Sequence, residues 1–117
     1  MSEHAFIDRI DAEIRSAEEA LHNGNEGRAR VCARRAAGEA LAWFLTRFTR
    51  PHWKPDAMNR LVSLQSDPFF PAEVQSSAQR LTTRVTELFQ YPFTQHPVDD
   101  ARIIIQFIKE TMSHDIA

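Results

Sequence analysis

Cysteine, glycine and long apolar runs are scarce in this 117-residue sequence. Cys32 is the only cysteine, so an intrachain disulfide is excluded, and its alanine-rich surroundings predict a buried structural thiol. Three glycines leave no glycine-rich phosphate loop and no elbow motif around a nucleophilic serine. No segment approaches the roughly 20 apolar residues that span a bilayer. The N-terminal stretch carries Glu3, Asp8 and Asp11 and lacks the apolar run of a signal peptide. The expectation is therefore a cytoplasmic protein with no membrane partner. A formal net charge of only −2 gives no whole-molecule attraction to nucleic acid or to an anionic surface. His4, His22, His52, His96 and His114 are scattered without ligand spacing, so neither a metal nor a cofactor is expected.

What is present is an ordinary globular balance, 43% hydrophobic and 26% charged, in a length that suits a single domain over residues 1–117. The six prolines fall between stretches of helical periodicity, which predicts an all-α chain. Helix one is expected from Glu3 to His22, with Phe6, Ile10, Ile14, Ala17 and Leu21 drawing one apolar stripe. Gly24 can take the left-handed conformation that stops it, and Asn25 can cap the next helix. Helix two is expected from Glu26 to Arg47. Ala29, Cys32, Ala33, Ala36, Ala40, Trp43 and Phe44 share one side, and Val31, Gly38, Ala42 and Leu45 form a narrower second stripe. Two stripes place this helix centrally in the bundle or set its second side against a partner subunit. Gly38 costs about 1 kcal/mol of helix propensity against alanine, so a packing reason for it is expected.

Pro51 and Pro55 bracket the connector His52-Trp53-Lys54. A short third helix is expected over Asp56–Gln65, with Met58, Leu61 and Val62 inward. After the turn at Ser66-Asp67-Pro68, a fourth helix runs from Pro71 to Phe89 on Val74, Ala78, Leu81, Val85 and Leu88, with Gln75, Gln79, Arg80 and Thr83 on its solvated side. Tyr91-Pro92 ends that stretch. The last helix starts near Pro97. Asp99 and Asp100 suit the positive end of its dipole, and Ala101, Ile103, Ile104, Ile105, Phe107, Ile108 and Met112 leave it apolar nearly all round. Such a helix is buried on several sides or builds an oligomer interface.

The order of these elements carries a resemblance. Ala29-x-x-Cys32-Ala33-Arg34-Arg35-Ala36-Ala37-Gly38-x-Ala40-Leu41 on a second long helix is followed by a short helix. Phe70-Pro71-Ala72-Glu73-Val74, Gln90-Tyr91-Pro92 and Asp99-Asp100-Ala101 come after it. Over about residues 5–112 this resembles the HEPN domains. The resemblance implies an up-and-down bundle of four main helices plus a short extra one, and a homodimer. It spans metal-independent ribonucleases and non-catalytic partners of nucleotidyltransferase-like proteins or nucleotide-binding modules.

The ribonuclease branch uses an arginine to hold phosphate and a histidine, separated from it by four to six intervening residues, to move a proton. Arg15 with His22 and Arg47 with His52 have that spacing, but neither pair lies at the start of a late helix, where the family places its motif. Catalytic residues are therefore not expected, with Arg47 and His52 as the alternative. Charge asymmetry is the stronger signal. Residues 28–50 carry six arginines (Arg28, Arg30, Arg34, Arg35, Arg47 and Arg50) against Glu39, whereas residues 1–22 carry six acids against two arginines. Attraction between neighbouring helices accounts for this pattern, and so does a basic groove for nucleotide or RNA phosphates. The groove reading assigns ligand binding to Arg30, Arg34, Arg35, Arg47, His52, Trp53 and Lys54, with Trp53 as an exposed or interface aromatic and Trp43 in the core. The expected function is a non-catalytic dimeric module that binds nucleotide, RNA or a partner protein. A ribonuclease and a purely structural helical protein are the alternatives.

Overall fold

The computed structural model describes residues 2–83 and 96–114. They form an all-α bundle of five helices: α1 (Glu3–His22), α2 (Glu26–Leu45), α3 (Ala57–Leu64), α4 (Ala72–Thr82) and α5 (Pro97–Ser113). No strand occurs among the described residues. Side chains start most of the helices by accepting the backbone N–H groups that a first turn leaves unpaired. Ser2 accepts from the Ala5 N–H, Asn25 from Arg28, Asp56 from Asn59 and His96 Nδ1 from Val98. Pro71 occupies the cap position of α4 instead of its first turn. Gly24 takes φ 77°, and the Asn25 N–H reaches back to the Ala20 carbonyl at 2.8 Å, closing α1 as expected of a left-handed glycine stop.

α2 touches all four other helices. Its first face, from Ala29 to Phe44, is buried throughout, and of its second stripe Gly38 is buried while Val31, Ala42 and Leu45 are half-buried. The short alanine side chains let α1 lie close along it, with Phe6, Ile10 and Ala17 in the seam. Gly38 has the expected packing reason. A Cβ there would stand 2.4 Å from the Ala57 Cβ and 3.0 Å from the Ala57 Cα, so only glycine lets the first turn of α3 sit on α2. Fixing Ala57 inward also sets the face of α3. Leu61 and Leu64, four and seven residues on, are buried, while Met58 and Val62 are rotated to the surface at 40% and 49% exposure. The inward expectation for those two is corrected. In α1, Ala20 replaces Leu21 as the last inward residue.

α4 is shorter than its periodicity implied. Thr82 and Thr83 turn their hydroxyls back on the Ala78 and Gln79 carbonyls, and Thr83 leaves helical geometry at ψ 140°. Val85, Leu88, Phe89 and Tyr91-Pro92 lie outside the described residues. The solvated role expected for Arg80 is also corrected. Its guanidinium pairs with the fully buried Asp100 of α5 at 2.8 Å and donates to Ser77 at 3.3 Å. Asp100 thus serves as a buried partner for α4, beyond its favourable place at a helix start.

The apolar excess of α5 is largely used inside the molecule. Ile104, Ile105, Ile108 and Met112 are buried, and Ile103 and Phe107 are half-buried against the same core. Trp53 is corrected as well. The connector turns at Arg50, whose carbonyl accepts the Trp53 N–H at 2.9 Å, and this folds the indole inward to 9% exposure, stacked near Phe70 with ring centres 6.3 Å apart. Phe44, Phe48, Phe69, Phe70 and Phe107 complete an aromatic cluster at this end of the bundle, with Phe69 still 41% exposed.

Candidate functional site

The seven residues assigned to ligand binding do not gather at one place. Arg30 and Arg34 are half-buried and, four apart, share one flank of α2. Arg35 is exposed on a different flank. Arg47 turns to the far end of α5, donating from Nη1 to the Met112 carbonyl at 2.8 Å. His52 and Lys54 are exposed in the connector, and Trp53 is in the core. Of the alternative catalytic pair, Arg47 follows α2 and bonds to the Met112 carbonyl of α5, while His52 lines a groove beside Asp67, Ser63 and Ser66.

That groove is organised by Asp67. Its carboxylate accepts from Arg50 Nε at 2.6 Å and from the Phe69 N–H at 3.0 Å. Burial pushes the carboxyl up, but the bond from Arg50, the Phe69 N–H and the charges of Arg50 and His52 outweigh it and hold the group below the usual carboxylate value. The arginine is further held over the Phe44 ring, 5.5 Å from its centre. The arrangement is a clamp between the α2–α3 connector and the α3–α4 turn.

Arg35 leads to a different place. The close Gly38–Ala57 approach draws α3 onto α2, and α1 packs along the same helix, yet the backbones of α1 and α3 do not approach each other among the described residues. Between them opens a cleft of about 510 Å³ whose walls carry Arg9 and Glu13 from α1, Arg35 and Glu39 from α2, and Arg60 from α3. Gly38 and Ala57 form its narrow, side-chain-poor part.

The charges in this cleft are not equivalent. Arg9 donates to Glu39 at 2.9 Å and lies over the Phe6 ring at 5.2 Å, so it is pinned. Arg35 has no salt-bridge partner among the described residues. Arg60 makes a long bond from Nη1 to the Gly38 carbonyl, 3.4 Å, lies within the field of the Asp56 carboxylate, and has its Nε occluded with no acceptor. Glu13 Oε2 is likewise occluded with no donor. A buried polar atom without a partner costs about 1–3 kcal/mol, and the two residues that carry such atoms, of opposite type, both line this one cleft. Sequence reasoning singled out Arg35 alone of these residues. Arg9, Glu13 and Arg60 lie on three segments whose meeting has no local signature.

A second concavity, about 620 Å³, runs between α1, α4 and α5 over Ile10, Ile14, Val74, Ile103 and Phe107. Its rim mixes Asp11, Glu73 and Glu110 with Arg102 and Lys109. Arg102 pairs with Glu18, and Lys109 stands 3.8 Å from Asp11. Among the described residues, no group of three histidine, cysteine or acidic side chains could hold a metal ion, and no helix is long and apolar enough to cross a membrane.

No protein-family model, curated protein or solved structure matches this chain.

Proposed function

We propose that the chain is a non-catalytic, HEPN-like helical module that binds a phosphate-bearing ligand, nucleotide or RNA, through the arginines at the α1–α2–α3 cleft. One observation supports the reading above the others: Arg9, Arg35 and Arg60, from three helices, line a single open cavity of ligand size. Arginine suits this role because its planar fork presents paired N–H donors to phosphate oxygens. Of the seven residues first assigned to the ligand, Arg35 keeps that role here, and Arg30 and Arg34 extend positive charge along α2.

The module acts in the cytoplasm as a homodimer, in company with a nucleotidyltransferase-like protein, as the HEPN resemblance implies. The α1–α4–α5 groove and the exposed Phe69 supply apolar surface for the second copy. The ribonuclease reading is disfavoured by the engagement of Arg47 with the Met112 carbonyl, away from the His52 groove.

The test is a titration of ATP and of labelled single-stranded RNA at two salt concentrations. Binding should weaken with salt, as phosphate contacts require, and should fall by about tenfold or more in Arg35→Ala with Arg60→Ala. Binding that ignores both salt and these arginines would sink the proposal. So would RNA cleavage that disappears in His52→Ala.

A further inference from the structure

We infer that the α1–α2–α3 cleft selects a small dipolar ligand, one that joins an oxyanion to an N–H donor, by drawing Arg60 and Glu13 onto its two ends. This rests on the proposed binding role of the cleft and narrows it.

The two walls offer complementary, unused hydrogen-bonding capacity. Arg60 Nε is a donor without an acceptor, on a guanidinium whose hydrogen bond to the Gly38 carbonyl is long, 3.4 Å, and which also feels the charge of Asp56. Glu13 Oε2 is an acceptor without a donor. The remaining ion pair of the cleft, Arg9 with Glu39, is closed on itself at 2.9 Å and contributes a fixed wall. Arg35 stands exposed at the mouth. An inorganic anion satisfies Arg35 and Arg60 but meets repulsion from Glu13. A polymer of repeated phosphates brings a second anion toward the same carboxylate. A ligand with an anionic oxygen at one end and an ammonium, amine or amide N–H at the other answers both walls, and about 510 Å³ accommodates a molecule of that size.

Because both orphan atoms are occluded, engagement requires the two side chains to turn toward the cavity. The weak tether of Arg60 permits this, whereas Arg9 is held by its carboxylate partner and by Phe6. Arg60 and Glu13 therefore move and Arg9 does not.

Two kinds of molecule share this chemistry, an aminoalkyl phosphate and a nucleotide whose base carries N–H groups. The experiment uses one probe of each, phosphoethanolamine and GMP, beside inorganic phosphate and an oligouridylate, titrated calorimetrically into the full chain. At least one dipolar probe should bind about tenfold or more tightly than phosphate, and which one does so identifies the source. Glu13→Gln should erase that preference from both sides, weakening the dipolar probe by loss of its acceptor and tightening phosphate by relief of the repulsion. Arg60→Lys keeps the charge and removes Nε, and it should weaken the dipolar probe about tenfold. Circular dichroism verifies that each variant is folded. In the wild-type protein the Arg60 Nε–H resonance, assigned by its loss in Arg60→Lys, should shift on binding. Equal affinity for phosphate and both dipolar probes overturns the inference, as does a preference that survives Glu13→Gln. Tight oligouridylate binding that depends on Arg35 but is unchanged in Glu13→Gln would preserve the general binding role and overturn this narrower one.

Discussion

Gly38 and Gly27 lie in the same helix and predict opposite responses to the same change. At Gly38 an added methyl would meet the Cβ and backbone of Ala57 at 2.4 and 3.0 Å. Gly38→Ala gains about 1 kcal/mol of helix propensity, but it displaces the start of α3, and overpacking of this kind costs about 1–3 kcal/mol. A net loss is expected because the obstacle is backbone and cannot rotate away. At Gly27 the nearest atom is the Asn25 Oδ1 at 3.9 Å, so Gly27→Ala should stabilise by about 0.4–1 kcal/mol. Urea unfolding of both variants measures the two signs, and two shifts in the same direction would contradict the account. Arg80 gives a third residue-scale outcome. Asp100 is fully buried, so Arg80→Ala strips a buried carboxylate of a guanidinium partner and should cost about 3 kcal/mol in the same assay. A loss below about 1 kcal/mol would place the carboxylate's support elsewhere. The fates of these residues differed in how far the sequence disclosed them. Gly38 announced itself, since a glycine inside a helix needs a reason. Arg80 did not, because a lone arginine on a polar helix face looks solvated until a partner twenty residues away is brought beneath it.

Among the elements, the connector between α2 and α3 departs furthest from its expected character. It was expected to present Trp53 outward, yet the indole is folded onto Phe70 while Arg50 reaches across to Asp67. Periodicity has no purchase on a proline-framed loop, so the burial of its tryptophan was not legible. The long helices were legible, because their apolar stripes, caps and the Gly24 stop are local properties. The face of α3 was missed by one residue for a nonlocal reason, since contact of Ala57 with Gly38 sets its rotation. The connector clamp has a pH signature. Asp67 is held below its ordinary value of 3.8 in the folded chain. Its contribution to stability is fully present above that value and is lost as pH falls through the lower, folded one. Thermal unfolding of the wild type should therefore drop on acidification below the ordinary value, and Asp67→Asn should lose the part of that drop due to this group. If the gap in melting temperature between the two proteins stays constant through acid, Asp67 is not clamped as described.

At the scale of the whole molecule, the site depends on what the helices leave open. α1 and α3 each pack on α2 without their backbones approaching each other, and the cleft is the interval between them. That is why its residues could not be read in advance: Arg9, Glu13 and Arg60 gain their significance only from the relative placement of three rods. The charge asymmetry between the first two helices was plain in the sequence, and the Arg9–Glu39 pair is one product of it, but the asymmetry gave no hint that Arg35 would face a third helix. The position of α2 has a further effect on time-dependent behaviour. A rod that every neighbour leans on is shielded until all of them let go, so its central amides around Ala36 and Ala40 should be the slowest in the chain to trade their protons for deuterium, at a rate set by opening of the entire bundle. The brief α3, held mainly through Ala57, Leu61 and Leu64, should exchange sooner, so the wall bearing Arg60 can loosen while the spine behind it stays closed.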